Sequence, residues 1–497
     1  MKYSVRTAAI VLAMLMALSQ MACSQGETET VEDTAAQTEA VSAETEETRL
    51  EPDIPETADY NGDEIRFLHW QHPEWIGSIR DCRDLDAEAL TGEAINDAVF
   101  NRNTYVEENY NVEIVLENRS IGTFNKDVHT AVQSGDNTYD VVYPILLYMN
   151  ELCIGGDLAN LMHVPHIDFT KSWWDQNAVQ SMSIGGYLPA VASSINVNDK
   201  DATTAIAFNK QLAADNNLPD LYTTVEDGKW TMDLFMEYAD VCNVDVNGDG
   251  TMTVDDRYGF LGGNDVMYVF YYGSGQLMVT KDTDDMFQFT YGTERDINVT
   301  QKIYDLMQEN WFFNHHQYKD TSDEFYRILF ETGHGLFYWM RLDDVTAMRE
   351  SDADFGILPT PKYDETQEKY WSVLSPYTTG ILSIPVSTAG DQLEEVGLIL
   401  EAMAAYSHYT LIPAYVDESL KTKYSRDEQS AGMMDIIIEN RLIDPMMVYN
   451  FGKFRDEFIQ FGNKANLSIA STIQQKKKSV DQDVAKKSES IRAFAER

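Results

Sequence analysis

The sequence predicts an α/β fold built on a parallel sheet, and the order of segments near its start carries that prediction. Residues 65–70 form a short, nearly continuous apolar run, as a buried strand does. Apolar residues then recur at helical spacing over 95–109, and residues 112–116 alternate as a second strand. After another amphipathic segment, residues 139–144 form a third strand that ends at a proline. This order indicates parallel strands with right-handed crossovers, and ligands of such sheets bind beyond the carboxyl ends of the strands.

The rest of the chain continues the same mixture of elements. Residues 205–330 are predicted to be mostly helical. A helix with one apolar stripe is predicted over 393–403, and the segment from 476 is a charged helix or a frayed end. Later strands are predicted at 335–340, 355–358 and 379–384.

Composition narrows the function classes. The 497 residues carry a formal net charge of −45, from 37 Lys and Arg against 82 Asp and Glu. This balance argues against nucleic-acid binding, which depends on clustered basic residues, and against electrostatic attachment to an anionic membrane. With 43% hydrophobic residues, the chain has enough apolar surface for a substantial core.

The first 23 residues are organised as an export signal. Lys2 and Arg6 precede an 11-residue apolar run over 8–18, which is too short to span a bilayer comfortably. The Met21-Ala22-Cys23 that follows resembles a bacterial lipoprotein cleavage box, and this resemblance implies that Cys23 carries the lipid. An ordinary secretory signal with an incidental cysteine is the alternative.

Residues 24–59 are predicted to be a disordered acidic tether between the membrane and the folded domain. They contain 12 acidic side chains and one basic side chain. Such a segment has too little apolar surface to offset the entropy of ordering it, and its charges repel one another. Residues 60–497 remain acidic without it, so most of the acid is expected on solvated surface.

Three further cysteines lie at wide spacings, at Cys82, Cys153 and Cys242. The sequence has no CxxC pair, so neither a zinc ribbon nor a redox site is indicated. Three buried thiols are favoured, and one disulfide stays possible.

Six short segments carry a resemblance to a known family. They are Thr-Tyr-Asp-Val-Val at 138–142, Ala-Phe-Asn-Lys at 207–210, Asp-Gly-Lys-Trp-Thr-Met-Asp-Leu at 227–234, Asp-Arg-Tyr-Gly-Phe at 256–260, Gly-Leu-Phe-Tyr-Trp-Met at 335–340 and Asp-Phe-Gly-Ile-Leu-Pro at 354–359. Their order and spacing resemble the sugar-binding branch of the bacterial extracellular solute-binding proteins, family 1, over roughly residues 60–480.

The resemblance implies a two-lobed, periplasmic-binding-protein-like fold of type II, with a ligand cleft between the lobes. Within a solute-binding domain at 60–497, the first lobe is expected at about 60–165 and 330–385. The second lobe is expected at about 166–329 and 386–480. The resemblance further implies a monomeric receptor on the extracellular face of the cell membrane. Such a receptor would capture a carbohydrate, expected to be an oligosaccharide, by lobe closure and deliver it to ABC permease subunits.

Candidate ligand-binding residues follow from the chemistry of sugars. A pyranose needs aromatic platforms for its apolar face and planar polar side chains for its hydroxyls. Such residues lie where cleft loops are expected, and packing in the core is the alternative for each tryptophan. The candidates are Trp70, Glu74 and Trp75 after the first strand, Trp339 and Arg341 at the end of the 335–340 strand, the cluster Trp173, Trp174 and Asp175, and Tyr377.

The segment 245–256 has the pattern of a calcium loop. Calcium takes six to eight oxygens, and a loop that turns at Gly250 can direct alternate side chains to one centre. Position 12 is an aspartate rather than the usual glutamate, as in dockerin-type loops. The expected ligands of a structural Ca²⁺ are Asp245, Asn247, Asp249, the carbonyl of Thr251, and Asp256. An Asn/Asp/Gly turn that binds nothing is the alternative.

A secreted glycan-degrading enzyme and a surface glycan-docking lipoprotein stay open as alternatives. A glycosidase needs two carboxyl groups beside the scissile bond, but carboxylates are too abundant here to favour any pair. The chain contains no HExxH, GxSxG or Walker motif, so we expect no enzyme activity. The sequence leaves the sugar and its chain length open.

Overall fold

The computed structural model describes residues 49–71, 83–318, 323–348, 351–416 and 428–495. The signal segment with Cys23, most of the acidic tether, Glu74, Trp75 and Cys82 lie outside the described residues. Within the described ranges, no helix is long and apolar enough to cross a membrane.

The folded unit begins at Glu51, nine residues before the boundary that composition predicts. The hydroxyl of Tyr110 donates to the carbonyl of Pro55 at 3.0 Å, and the N–H of Ala58 donates to the carbonyl of Asn109 at 3.1 Å. Residues 51–59 therefore pack on the end of the first helix, although their composition is that of the tether.

The first sheet has three parallel strands in the order β2-β1-β3, as the strand and helix pattern predicts. The crossovers between them are the predicted helices, and the first helix ends where Asn111 adopts a left-handed conformation with φ 50°. The elements are β1 (Asp63–Gln71), α1 (Ala94–Tyr110), β2 (Val112–Ser120), α2 (Phe124–Ser134) and β3 (Val141–Tyr143).

Nine more strands follow in the described residues. They are β4 (Thr204–Asn209), β5 (Tyr258–Gly262), β6 (Val279–Lys281), β7 (Phe287–Phe289), β8 (Phe312–Asn314), β9 (Gly335–Arg341), β10 (Phe355–Leu358), β11 (Ser372–Val373) and β12 (Arg441–Leu442). Five of them form a second sheet in the order β10-β4-β9-β5-β8, in which β5, β8 and β9 are mutually parallel. The pairs β6–β7 and β11–β12 stand apart from it.

The second sheet contains strands that the sequence does not predict, and it also contains strands that were expected in the first lobe. The segment 205–330 contains five strands beside its predicted helices; three of them, β4, β5 and β8, are buried throughout and so lack alternation. Strands β9 and β10, within the segment expected in the first lobe, pair with β4 and β5 in the second sheet.

Two linking segments, residues 197–203 and 374–384, run side by side between the sheets. The N–H of Ser375 donates to the carbonyl of Ala202 at 2.9 Å, and the first segment leads directly into β4. The predicted strand at 379–384 is wrong as a regular strand. Its residues make isolated bridges to different partners, Gly380 to Ile145 and Leu382 to Val191. Residues 380–383 do lie antiparallel to 142–145, where Ser383 bridges to Val142, but Pro144 has no N–H to donate, so a continuous ladder does not form.

Helices surround both sheets. After α2 they are α3 (Met149–Gly155), α4 (Gln176–Met182), α5 (Asn198–Asp201), α6 (Lys210–Asp215), α7 (Leu221–Glu226), α8 (Met232–Asp240), α9 (Val266–Gly273), α10 (Glu294–Gln308), α11 (Asp323–Glu331), α12 (Asp343–Ala347), α13 (Asp391–Tyr409), α14 (Leu411–Pro413), α15 (Glu428–Glu439), α16 (Pro445–Tyr449), α17 (Phe454–Ile459) and α18 (Ile469–Arg492).

The predicted late helices both form, and each buries an apolar face. α13 packs against α1, where Tyr105 and Tyr406 stack with centroids 4.7 Å apart. The charged C-terminal segment is helical as α18, and it buries Ile473, Val480 and Ile491. Cys153 and Cys242 are free and buried, as the favoured interpretation of the cysteines predicts.

Candidate functional site

The carboxyl end of the first sheet brings three aromatic side chains together. In the β1–β3 register, His69 lies opposite Tyr143, and their ring centroids are 5.6 Å apart. The rings of His69 and Trp70 are 5.8 Å apart. All three residues are buried. Trp70 therefore lies at the predicted edge of the sheet, but inside the protein.

His69 presents a buried acceptor at this edge. Its Nδ1 lies 2.7 Å from the carbonyl oxygen of Trp70, which can only accept, so Nδ1 carries the proton. Nε2 is then the acceptor, and it has no hydrogen-bond partner within the described ranges. Burial lowers the pKa of His69, although the nearby Asp84 acts in the opposite direction. The lowered pKa keeps the ring neutral near pH 7.

The second linking segment crosses this edge at Gly380. The N–H of Gly380 donates to Oδ1 of Asn198 at 2.6 Å, which joins the two linking segments. A Cβ at position 380 would lie 2.9 Å from Nε1 of Trp70 and 3.1 Å from Nε2 of His69, so only glycine permits this approach. The polar ring atoms of the first sheet thus converge on the backbone that leads to the second sheet.

The carboxyl end of β9 carries an aromatic stack. Trp339 lies nearly parallel to Tyr326, at 6.5 Å and an interplanar angle of 6°, and Tyr326 stacks on His315 at 4.4 Å. The guanidinium carbon of Arg341 lies 5.6 Å from the centre of the Trp339 ring, a cation–π distance. Trp339 is buried, and its Nε1 donor has no hydrogen-bond partner in the part of the chain described.

Two tyrosines lie near this edge, Tyr268 in α9 and Tyr377 within the second linking segment. Tyr268, in α9, is buried near Asp265, Arg341 and Ser375, and burial raises its pKa well above the usual value. Tyr377 is half-buried, lies near Asp265 as well, and burial also raises its pKa. Both hydroxyls therefore stay protonated at neutral pH and can donate hydrogen bonds.

The predicted cluster at 173–175 lies elsewhere, in the core beside α13. Trp173 and Trp174 are fully buried, and both indoles donate to the carboxylate of Glu401, at 3.0 and 2.9 Å. Asp175 accepts from Arg441 at 2.7 Å and caps α4. These three side chains are engaged by the protein itself, as the core alternative for them requires.

The sequence did not identify two residues as site candidates. They are His69, at the carboxyl edge of the first sheet, and Tyr268, at that of the second sheet. His69 lies in an apolar strand, where the pattern indicates core packing. Tyr268 lies in α9, whose residues are almost all apolar, and α9 follows β5 in a region expected to be helical. A correct assignment of β5 would have placed Asp265 and Tyr268 just beyond the carboxyl end of a strand, which is the signal that could have identified them.

The loop 245–256 is folded by hydrogen bonds from its own backbone. Asp245 accepts the N–H of Gly250 at 2.7 Å, and Gly250 has φ 83°. Asp256 accepts the N–H groups of Val246 and Thr253, at 2.9 and 2.7 Å. No group of three or more His, Cys, Asp or Glu side chains close enough to hold one metal ion occurs in the described residues. The expected calcium site stays a prediction.

Comparison with known proteins shows the fold of this chain and no more than the fold. No family model matches the chain, and no curated protein matches it. A sugar-binding protein from Xanthomonas citri matches with a TM-score of 0.57 at 12% identity, over 85% of this chain and 98% of that chain. A cyclo/maltodextrin-binding protein complexed with maltotetraose matches with a TM-score of 0.53 at 12% identity, over 86% and 98%. This chain has the two-lobed fold of the periplasmic sugar-binding proteins.

A third structure of this fold, an ABC substrate-binding protein from Listeria monocytogenes in complex with cycloalternan, matches with a TM-score of 0.51. Its identity is 10%, over 87% of this chain and 99% of that chain. In a two-lobed fold the ligand binds between the lobes, which close around it. The carboxyl ends of the two sheets and the linking segment between them are therefore the candidate site here.

Proposed function

We propose that the protein is a receptor that captures a carbohydrate between its lobes, without turning it over, and delivers it to an ABC permease. The observation that carries the proposal is a pair of buried polar atoms without partners among the described residues, Nε2 of His69 and Nε1 of Trp339. Buried polar groups are almost always hydrogen-bonded, so such atoms at a ligand-binding edge indicate a polar ligand. Two solved structures with this fold hold maltotetraose and cycloalternan.

The edge residues match what a saccharide presents. A sugar hydroxyl both donates and accepts, so it can donate to Nε2 of His69 or accept from Nε1 of Trp339. The protonated hydroxyls of Tyr268 and Tyr377 add donors, and the face of Trp70 adds an apolar surface. Micromolar affinity requires about −8 kcal/mol, which several such contacts can supply.

Capture requires motion because most of these side chains are buried. We infer that the sheets separate along the two linking segments to admit the ligand, and that a saccharide in contact with both lobes then favours the closed form. Only a difference in affinity between the two forms can shift this equilibrium. The permease is then expected to bind the closed surface of a monomeric receptor.

We also propose that Cys23 is lipidated and holds the receptor at the extracellular face of the cell membrane. The apolar run and cleavage box of the signal support this assignment, and the acidic tether that follows would keep the folded unit away from the membrane. Globomycin, which blocks lipoprotein signal cleavage, is expected to cause accumulation of the unprocessed chain, whereas a C23S chain is expected to be released from the cells.

The calcium loop is a separate proposal. Asp245, Asn247 and Asp249 lie together in an exposed turn with oxygens at alternate positions, and Asp256 would have to release backbone N–H groups to join them. We expect millimolar Ca²⁺ to raise the unfolding temperature, and D245A to abolish the rise. An equal rise in D245A, or none in the wild type, would contradict the proposal.

Calorimetric titration of the full chain with maltose, maltotetraose and cyclodextrin tests the sugar assignment. We expect at least one saccharide to bind and to be recovered uncut. The variant W339F keeps an aromatic ring, although a smaller one, and loses the Nε1 donor, so its affinity should fall roughly fivefold to tenfold, the value of one hydrogen bond.

The matched control is W311F, because Trp311 is a buried tryptophan that precedes β8 and so lies at the opposite end of the second sheet. It should bind as the wild type does. Cleavage of the saccharide would indicate an enzyme. Binding that W339F and W311F weaken equally would remove Trp339 from the site.

A further inference from the structure

A cavity of about 310 Å³ lies between α4 and the β6–β7 hairpin, and it shares no lining residue with the carboxyl-edge site. One wall comes from Asn177 and Gln180 of α4, and the opposite wall from Val279 and Phe287 of the hairpin. This volume is at the lower end of the range typical of small-molecule sites. The cavity therefore has room for a ligand of about one or two rings.

Trp371 forms part of this cavity and is the one tryptophan of the described ranges whose side chain is not buried. Its indole is held in place. A Cβ at Gly275 would lie 3.1 Å from two atoms of the ring, so the glycine lets the indole lie against the backbone. Nζ of Lys369 lies 5.8 Å from the ring centre. A fixed, partly exposed indole is a ready platform for the apolar face of a ring.

The polar side chains of the cavity are amides, hydroxyls and one amine. Asn177, Gln180 and Ser181 share a face of α4 at helical spacing. The Nδ2 of Asn177 donates to the carbonyl of Arg441 at 3.0 Å, which leaves its Oδ1 to accept from a ligand. Among the described residues, Lys281 is the only charged one in the lining, and its amine is already paired with Asp285 at 2.9 Å.

The absence of acidic residues from this lining restricts the ligand. None of the Asp and Glu residues in the described ranges lines the cavity, so a cation or a metal ion finds no counter-charge among these lining residues. The pairing of Lys281 with Asp285 leaves no free positive charge for an anion among the lining residues. A neutral ligand with an apolar face and hydroxyl groups fits the indole and the amides together.

We propose that this cavity is a second binding site, for a neutral pyranose that stacks on Trp371 and hydrogen-bonds to Asn177 and Gln180. The site is separate from the carboxyl-edge site of the proposed function, and its occupation does not depend on that function. The sequence offers no signal for it, because Trp371 and α4 come from segments almost 200 residues apart.

Fluorine NMR of the full chain labelled with 5-fluorotryptophan tests this site directly. The W371F variant identifies the Trp371 resonance, and circular dichroism confirms that the variant is folded. Glucose, maltose and maltotetraose are the probes. We expect at least one of them to move the Trp371 resonance in a saturable manner, and Q180A to weaken that response at least fivefold.

Two further variants separate this site from the carboxyl edge. The response of Trp371 should persist in W339F, and W371F should leave the high-affinity calorimetric titration unchanged. The proposal is overturned if none of the three sugars moves the Trp371 resonance. It is also overturned if the aromatic dye 1-anilinonaphthalene-8-sulfonate moves the Trp371 resonance and no sugar does. The third contrary outcome is that W371F abolishes all sugar binding, because the cavity would then be the primary site.

Discussion

Glu401 holds two tryptophans in the core with one carboxylate. Its two oxygens accept the indole N–H groups of Trp173 and Trp174, and one of them also accepts the N–H of Asp168 at 3.3 Å. Burial nevertheless raises the pKa of Glu401 to about 7, because these bonds only partly replace the lost hydration of the ion. The residue therefore titrates close to neutral pH.

The sign of its effect on stability follows from linkage. A raised pKa in the folded state means that the folded protein binds the proton more tightly than the unfolded chain does. The contribution is full below the unfolded pKa of about 4.5 and is lost as the pH rises through 7. The wild type therefore loses stability relative to E401Q as the pH rises. We expect the free energy of unfolding of E401Q minus that of the wild type to increase by roughly 3 kcal/mol between pH values below 4.5 and above 7.

Urea unfolding at a series of pH values measures this difference. The control is E113Q, an exposed glutamate on β2, which should follow the wild-type pH profile. A constant difference between E401Q and the wild type at every pH would show that Glu401 does not titrate in this range.

At the scale of elements, the short helix α5 concentrates buried charge within the first linking segment. Asp199 pairs with Lys200 at 3.0 Å and with Arg441 of β12 at 2.6 Å, and all three are buried. Burial alone would raise the pKa of Asp199, but the two cations outweigh it and lower the pKa. This network fixes the position of the segment along which the lobes are proposed to move.

Removing the carboxylate leaves two buried cations short of a partner. We expect D199N to lower the free energy of unfolding by roughly 3–5 kcal/mol. The control D227N breaks an ion pair with Lys229 whose side chains are half exposed, and it should cost at most about 1 kcal/mol. Equal losses in the two variants would show that the α5 network is not a buried ion cluster. Chemical denaturation of both variants makes the comparison.

The sequence predicts elements well where they are long or regular. The first sheet with its crossovers and α13 follow from periodicity alone, whereas for α18 the sequence left a frayed end open as the alternative. The strands β5 and β8 could not be recognised because each has five or fewer residues, all buried, which leaves no alternation to detect. The segment 379–384 has the composition of a strand, but its neighbour along 142–145 contains Pro144, which cannot donate to a ladder, and composition carries no information on partners.

The candidate site is less predictable than the fold. The sequence correctly places Trp70, Trp339 and Arg341 at the carboxyl ends of strands, because strand ends can be identified in a sequence. The pair Trp173 and Trp174 looks the same as a ligand platform in the sequence, yet Glu401, more than 220 residues away, holds both indoles in the core. Only the tertiary fold distinguishes the two cases.

At the scale of the whole molecule, two sheets are joined by paired linking segments, and the aromatic side chains at their carboxyl edges are buried. The net charge is −45, yet no acidic residue of the described ranges lines the cavity beside Trp371, and Asp199 and Glu401 belong to the core. Net charge therefore describes the surface and the tether, and the ligand must be inferred from the aromatic and amide side chains at the edges.

Hydrogen–deuterium exchange of the full chain, with and without the saccharide that binds in calorimetry, tests whether the carboxyl edges of the two sheets form the sugar site. We predict that the ligand protects the backbone at 263–268, 339–343 and 375–380, where both sheet edges and the second linking segment meet. Protection confined to other parts of the chain, or none despite saturation, would contradict the assignment of the carboxyl edges as the sugar site.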